Sequence, residues 1–167
     1  MTQIPKGSFA ASPRVDDPER TSISNGFPIG STILTLDGAL PVEHLSPGDR
    51  IITRNRGMVL LHGLKARRAR VETVQIAAGS LGQGVPAADI LIPADQRVLL
   101  RDWRAEALFG REQALVAARD LVDGEFIRRG PVRDLRLFDL IFDAPHILYV
   151  DGLELSCEPP EPLRRAA

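Results

Sequence analysis

The feature that most constrains the fold is a series of short apolar and β-branched runs separated by turn signals. The first run, residues 31–36, ends at an Asp-Gly dipeptide (37–38), which favours the positive backbone φ of a hairpin turn. The second run, residues 50–54, follows a Pro-Gly corner at 47–48. Six further runs keep a similar spacing, at residues 58–64, 69–78, 89–100, 125–129, 134–142 and 147–155. This succession predicts many short strands joined by turns.

Helical signals are weaker than the strand signals. Residues 104–122 are rich in Ala, Leu, Glu and Arg, which favour helix, but Gly110 interrupts them and strand-like runs flank them. We therefore predict only short helical turns, at 105–109 and 117–121, together with about one turn at 41–45. The fold class predicted from these patterns is all-β.

Length and composition indicate one compact domain. The chain has 167 residues, of which 44% are apolar, enough to build a single core. Residues 1–25 mix Pro, Ser, Asp and Arg without apolar periodicity, so we predict a disordered leader there. The predicted domain covers residues 26–157, and residues 158–167 are expected to form a flexible tail.

Charge and cysteine content exclude several classes of protein. The 21 basic and 22 acidic side chains give a net charge of −1, so no global field favours nucleic acid or a membrane surface. No apolar run approaches the roughly 20 residues of a membrane span. The single cysteine, Cys157, excludes a disulfide framework. We predict a cytoplasmic protein without nucleic-acid or membrane partners; secretion without a classical type of signal peptide stays open.

Two basic runs, residues 65–70 and 128–136, carry the positive charge that a phosphate-binding surface needs. Aromatic residues make up only 5% of the chain and do not interleave with these runs, so base stacking is poorly supported. We interpret both runs as charged, solvated strand edges. The Gly-rich residues 79–84 lack the Lys-Ser/Thr of a phosphate loop. No cofactor is predicted.

Four stretches together resemble a Hint domain, the fold shared by inteins and Hedgehog autoprocessing domains, and most closely a bacterial group of Hint-like domains. The stretches are residues 26–54, 91–100, 115–129 and 138–156, in matching order and spacing. The first is the most specific, because a strand, an Asp-Gly turn, Pro-Val-Glu-His-Leu and a Pro-Gly-Asp corner occur together. The resemblance implies a horseshoe-like fold of short, twisted strands with one or two short helical turns.

The resemblance also implies a chemistry whose principal groups are replaced in this sequence. In the family a Cys or Ser before the Phe of the opening motif attacks the preceding carbonyl, and a His in a later strand protonates the leaving nitrogen. The position of the nucleophile is Gly26, and that of the His is Gln96, which does not transfer protons near neutral pH. Asp139 stands where related domains carry another His, whereas His146 still matches a late-strand His.

We therefore interpret the chain as a degenerate Hint domain that does not process itself and acts as a scaffold or peptide-binding module. Its partner is expected to be its own leader or another peptide segment, held in the inherited cleft around the four positions just named. The alternative is weak self-cleavage near Asn25-Gly26, through Asn25, Ser24 or water, with His146 and Asp143 in acid-base roles.

Other readings of single residues carry less weight. Ser24 and Ser31 are the hydroxyls nearest to the opening motif, and turn or capping hydrogen bonds account for them. We expect His146 to bond a backbone carbonyl, with its tautomer fixed by Asp139 or Asp143. A zinc site would require the distant residues His44, His62 and His146 to converge, and no metal is predicted. Cys157 is expected to be a small buried apolar group.

Overall fold

A computed structural model describes residues 26–82 and 84–159 of the chain. The predicted leader (1–25), Gln83 and most of the predicted tail (160–167) lie outside the described residues. Within them the chain is mostly β, as the spacing of turn signals predicts. None of the described helices is long and apolar enough to cross a membrane.

The described residues form fourteen strands. Their bounds are β1 Gly26–Pro28, β2 Thr32–Thr35, β3 Gly38–Pro41, β4 Arg50–Thr53, β5 Gly57–Leu60, β6 Gly63–Val71, β7 Thr73–Ile76, β8 Ile90–Pro93, β9 Arg97–Leu100, β10 Ala114–Ala117, β11 Ile127–Arg129, β12 Arg133–Ile141, β13 His146–Val150 and β14 Leu153–Cys157. Most strands have three to five residues, whereas β6 and β12 have nine each. These two strands pair along their whole length, so each supplies the other's hydrogen bonds.

Helical structure is limited to one α-helix and two short 3₁₀ turns within the described residues. The helix, α1, covers Trp103–Phe109, where Asp102 caps the first turn and Gly110 ends the helix in the left-handed region at φ 67°. The 3₁₀ turns cover Val42–His44 and Ala118–Leu121. The three predicted helical turns are therefore confirmed to within two residues, and the break at Gly110 has its expected cause.

The strands assemble into three antiparallel sheets. The largest has the order β10-β9-β14-β13-β2-β4-β5, with β3 paired to β2. A second sheet has the order β1-β12-β6, and a third has the order β11-β7-β8. The hairpin β2–β3 turns through Leu36 and Asp37, and Gly38, which begins β3 opposite Thr35, has a positive φ of 104°. Because β6 lies at one edge of its sheet, the charged run 65–70 lies on an edge strand, as predicted, although Arg67 within it is largely buried. The prediction is wrong for the end of the other basic run, since residues 133–136 belong to β12, the central strand.

One main core lies between the sheets. Its largest fully buried side chains are Phe27, Phe142, Ile33, Ile51, Leu61, Ile76, Ile127, Leu140, Leu148, Leu153 and Leu155. A smaller cluster of Ala69, Val71 and Leu137 fills one face of the β6–β12 pair. Phe27 anchors the opening motif in the main core, which fixes the position of Gly26 beside it.

Candidate functional site

Gly26 begins β1 and lies directly opposite Asp139 of β12. The glycine is buried, and its backbone is outside the left-handed region, so its conformation would accept any side chain. The space does not. A Cβ atom built on Gly26 would lie 3.0 Å from Arg67 Nη2 and 3.0 Å from Leu137 Cβ. A guanidinium group therefore occupies the direction in which the family's nucleophile would project.

The same guanidinium binds Asp139. Arg67 Nε donates to Asp139 Oδ2 at 2.8 Å, and Nη2 donates to Oδ1 at 3.2 Å. This bidentate contact fixes the orientation of the guanidinium and of the carboxylate. Both side chains are largely buried. The expectation that Asp139 fixes the tautomer of His146 is wrong, because its carboxylate is turned to Arg67.

Gln96 lies in the turn between β8 and β9 and is fully buried. Its amide Nε2 donates to Ser156 O at 2.8 Å and to Arg97 O at 3.1 Å. Two carbonyl acceptors require a nitrogen at that end of the amide, which directs Oε1 the other way. Oε1 is buried and has no hydrogen-bond partner among the described residues. The side chain thus ties two strands together and leaves one acceptor open.

Cys157 ends β14 opposite His146 of β13. Its thiol is buried, as predicted, and Sγ donates to Leu140 O at 3.3 Å. Burial raises the pKa of the Cys157 thiol far above its usual range, and the negative charges of Asp139 and Glu158 act in the same direction. A thiol held in the neutral form is not a nucleophile.

His146 begins β13 and bonds a side chain rather than the backbone carbonyl that we expected. Asn55 Nδ2 lies 3.3 Å from His146 Nδ1 and also donates to Pro145 O at 3.3 Å, while Asn55 Oδ1 accepts from Ile147 N–H at 3.0 Å. Because the bond from Ile147 fixes which end of the amide is oxygen, Nδ1 faces a donor and must be unprotonated. In the neutral ring the proton is therefore on Nε2.

The surroundings of His146 keep the ring neutral. Burial lowers its pKa, a nearby Asp143 carboxylate opposes that effect, and Arg56 reinforces it. Phe142 packs edge-on against the imidazole, with ring centroids 5.3 Å apart. Nε2 is buried and has no hydrogen-bond partner within residues 26–82 and 84–159. Asp143 is exposed and acts on the ring only through its charge.

A chain of contacts brings four of the predicted positions together. Gly26 pairs with Asp139, and the carbonyl of Leu140, the next residue, accepts a hydrogen bond from the Cys157 thiol. Cys157 is the strand partner of His146, and the preceding residue, Ser156, accepts from Gln96. These contacts link the four positions through the end of β14.

Other predicted residues do not join this group. No group of three or more His, Cys, Asp or Glu side chains in the described part of the chain could hold a metal ion. His44 and His62 are exposed, on a 3₁₀ turn and in the β5–β6 connection. Ser31 is buried, and its carbonyl accepts from Val42 N–H. Ser24 and Asn25 lie outside the described residues.

Sequence reasoning missed Arg67 and Asn55. Arg67 stood within a basic run interpreted as a solvated edge, and only the alternation of faces along β6 would have turned one arginine of that run inward. Asn55 is separated from His146 by 91 residues and forms part of the β4–β5 turn. Asn is ordinary in a turn, so no local signal marks it.

Comparisons with known proteins identify the type of fold. A Hint domain family model matches residues 25–158. The chain is similar to the solved bacterial intein-like domain from Clostridium thermocellum, with 17% identity and a TM-score of 0.57, covering 80% of this chain and 98% of that one. It is similar to the MchDnaB-1 intein, with 11% identity and a TM-score of 0.50, covering 78% and 98%. A search of curated proteins finds no significant match.

At these identities the likeness to solved structures speaks for the fold alone. The family model covers most of the chain, and the antiparallel architecture agrees with it. The chain therefore belongs to the Hint domain family.

Proposed function

We propose that this Hint domain does not cleave its own backbone and that it holds a peptide segment in the inherited cleft. The observation that carries the first half is the environment of Gly26. No side chain is present to attack a carbonyl, and Arg67 Nη2 lies 3.0 Å from the place where its Cβ would be. Acyl shift chemistry requires an activated nucleophile at that point.

The neighbouring groups do not replace the missing ones. Gln96 is a neutral amide committed to two backbone carbonyls, so it does not serve as a proton donor to a leaving amine. Cys157, the nearest thiol along the chain of contacts, is buried and held protonated. These features support a silent site over the alternative of weak cleavage near Asn25-Gly26.

The second half of the proposal rests on two unsatisfied atoms. His146 Nε2–H is a buried donor and Gln96 Oε1 a buried acceptor, each without a partner among the described residues. Both residues contact the same end of β14. Buried polar groups are normally paired, and one donor with one acceptor complements the C=O and N–H of a peptide. A peptide segment, the chain's own residues 1–25 or another, satisfies that demand.

Intact mass tests the first half. The full chain is incubated for days at pH 7 with and without dithiothreitol. We expect the full-length mass to persist in both arms. Loss of about 25 N-terminal residues in either arm would support the alternative and overturn the proposal.

Imidazole NMR tests the second half. Histidine is labelled with ¹⁵N, and a specific protease site replaces residues 18–22, so that the leader can be cut after folding. We expect cutting to shift the Nε2 resonance of His146 and a synthetic peptide of residues 16–25 to restore it, whereas a scrambled peptide does not. If neither cutting nor peptide moves that resonance, the cleft does not hold this segment.

A further inference from the structure

Strand β10 forms an open edge of the largest sheet. Its one neighbour is β9, and no strand of the described residues lies on the other side. An open edge carries backbone groups without partners, and proteins commonly protect such edges with charge, proline or a covering segment.

The hydrogen-bond pattern between β10 and β9 shows which backbone groups of β10 point to the open edge. Ala118 N–H donates to Gln96 O at 2.8 Å, just beyond the β10–β9 ladder. Bonded pairs alternate in an antiparallel ladder, so Val116 and Ala114 also bond β9. Leu115 and Ala117 alternate with these residues, so the N–H and C=O of Leu115 and the N–H of Ala117 point to the open edge, and no turn or loop bond among the described residues satisfies them. The C=O of Ala117 belongs to the following 3₁₀ turn, which begins at Ala118.

A groove of about 460 Å³ runs along this edge. Leu115 of β10 and Phe109 at the end of α1 both line it, and they are 38% and 41% exposed. Apolar side chains beside unpaired backbone groups form the combination that recruits an added strand.

The side chains that line the groove carry more positive than negative charge. Arg97 and Arg111 line it, and neither forms an ion pair within residues 26–82 and 84–159. Asp120 is the one acidic side chain among the lining residues. The groove therefore favours a ligand that brings negative charge together with apolar side chains.

We propose that β10 binds an extended peptide that carries apolar and acidic side chains on the same face, adding it to the sheet as a further strand, because Leu115 and Arg97 lie on one face of the sheet. Its backbone bonds Leu115 and Ala117, its apolar side chains contact Leu115 and Phe109, and its carboxylates reach Arg97 and Arg111. This inference does not depend on the proposed use of the cleft, because the groove residues include none of the four cleft positions.

Ala117→Pro is the sharpest variant for testing this surface. Ala117 has φ −64°, the value that proline imposes, so the substitution removes one outward N–H without straining the chain. Leu115→Glu removes the apolar contact and adds a repulsive charge. Leu60→Glu is the matched control, because Leu60 is an exposed leucine on β5, the opposite edge of the same sheet.

The probe is a fluorescein-labelled octapeptide in which every second residue is Thr and the positions between them are Val and Glu in turn, so that Val and Glu share one face. It is compared by fluorescence anisotropy with the same peptide carrying Lys in place of Glu. We expect the full chain to prefer the Val/Glu peptide and Ala117→Pro to weaken it about fivefold, the effect of losing one hydrogen bond of typical net strength. Leu115→Glu abolishes binding, Leu60→Glu leaves it intact, and the melting temperature of Ala117→Pro stays that of the parent.

Three results would overturn the proposal. Absence of Val/Glu binding is the first. The second is binding that Ala117→Pro and Leu115→Glu leave unchanged but that shifts the His146 resonance, because the peptide would then lie in the cleft. The third is a concentration-dependent dimer, seen by analytical ultracentrifugation and abolished by Leu115→Glu, because the occupant would then be a second copy of the chain.

Discussion

Asn55 and His146 form one hydrogen-bonded unit that joins the β4–β5 turn to the start of β13. The amide bonds the ring nitrogen Nδ1 and both backbone neighbours of the histidine, Pro145 O and Ile147 N. The unit fixes the ring's tautomer and aims a protonated Nε2 into the interior.

Asn55→Asp tests this arrangement directly. The carboxylate keeps an acceptor for Ile147 N–H but cannot donate to Nδ1, and its negative charge favours the imidazolium form. We therefore expect the pKa of His146 to rise, as followed by NMR titration of its ring nitrogens. Asn55→Ala is the control, in which the donor is lost without added charge, and it should lower the free energy of unfolding by about 1 kcal/mol, because the turn is exposed. A His146 pKa that Asn55→Asp leaves unmoved would show that the amide does not set the ring's state.

The buried, neutral His146 also predicts a pH dependence of stability. Its pKa in the folded chain lies below the ordinary value of about 6.5. The unfolded chain therefore binds more protons between the two values, and stability falls as pH drops below about 6.5 until the folded pKa is passed. Urea unfolding at pH 7.5, 6.5 and 5.5 measures this fall.

His146→Gln supplies the comparison for that measurement. The variant lacks the titrating ring, so its stability should change less over the same pH steps, even though its overall stability is lower. Equal slopes in the two proteins would mean that other groups cause the fall.

Much of the fold could be predicted from the sequence because its signals are local. The Asp-Gly dipeptide at 37–38 and the glycine at 110 act within a few residues, so a hairpin and a helix end can be placed from sequence alone. The length of β6 could not, because its nine residues are stabilised by pairing with β12, more than 60 residues away. Strand pairing is a tertiary effect, and it makes one strand of residues that the sequence divides between two apolar runs and the basic run between them.

The positions of the candidate site could be named by resemblance, but their partners could not. Gly26 and Gln96 were located by their motifs, whereas the guanidinium of Arg67 near Gly26 follows from the register of β12 against both β1 and β6. No sequence pattern shows that one strand, β12, will pair with β1 on one side and with β6 on the other. The same holds for Asn55, whose role depends on where the β4–β5 turn meets β13.

Asp123→Ala tests the turn that leads into β11. Its carboxylate Oδ1 accepts three backbone N–H bonds, from Glu125, Phe126 and Ile127, at 2.8 to 2.9 Å. Burial raises the pKa of Asp123, but these bonds outweigh it and hold the pKa below its usual range. We expect Ala to lower the free energy of unfolding by about 1 to 2 kcal/mol, reduced from the full value of charged hydrogen bonds because the carboxylate is exposed.

Asp123→Asn is the matched variant, because its amide oxygen still accepts. At pH 7, Asp123→Asn should have a free energy of unfolding between those of Asp123→Ala and the parent. The parent's advantage over Asn should shrink as pH falls through the lowered pKa of Asp123, because the ionised carboxylate contributes stability only above it. An Ala variant as stable as the parent would mean that the turn holds without this carboxylate.

Cys157 should be unreactive in the folded chain. Its thiol is buried, donates to Leu140 O, and has a raised pKa, so both access and thiolate formation are suppressed. We expect negligible reaction with a chromogenic disulfide reagent in buffer at pH 8 and one equivalent per chain in 6 M guanidinium. Rapid labelling of the native protein would contradict the burial and would reopen a role for this thiol.

Restoring the replaced groups tests whether the fold has kept the geometry of an active relative. In Gly26→Cys with Gln96→His, a nucleophile returns to the start of β1 and a proton donor to the β8–β9 turn. The new Cβ lies 3.0 Å from Arg67 Nη2, and that flexible group can move away, whereas the equally close Leu137 Cβ belongs to a packed strand. We therefore expect thiol-induced cleavage before residue 26 to rise above the parent's background while staying slow.

Two control variants decide what such cleavage means. Gly26→Cys alone has a nucleophile but no proton donor, and Gly26→Ala with Gln96→His has the same added bulk at Cβ without a thiol, so intact mass should show less cleavage in the first and background in the second. If the double variant is folded by circular dichroism yet inert, the approach of Leu137 and Arg67 to position 26 has closed the space that the reaction needs. In that case the packing of β1 against β12, and not only the side chains at positions 26 and 96, would prevent the reaction.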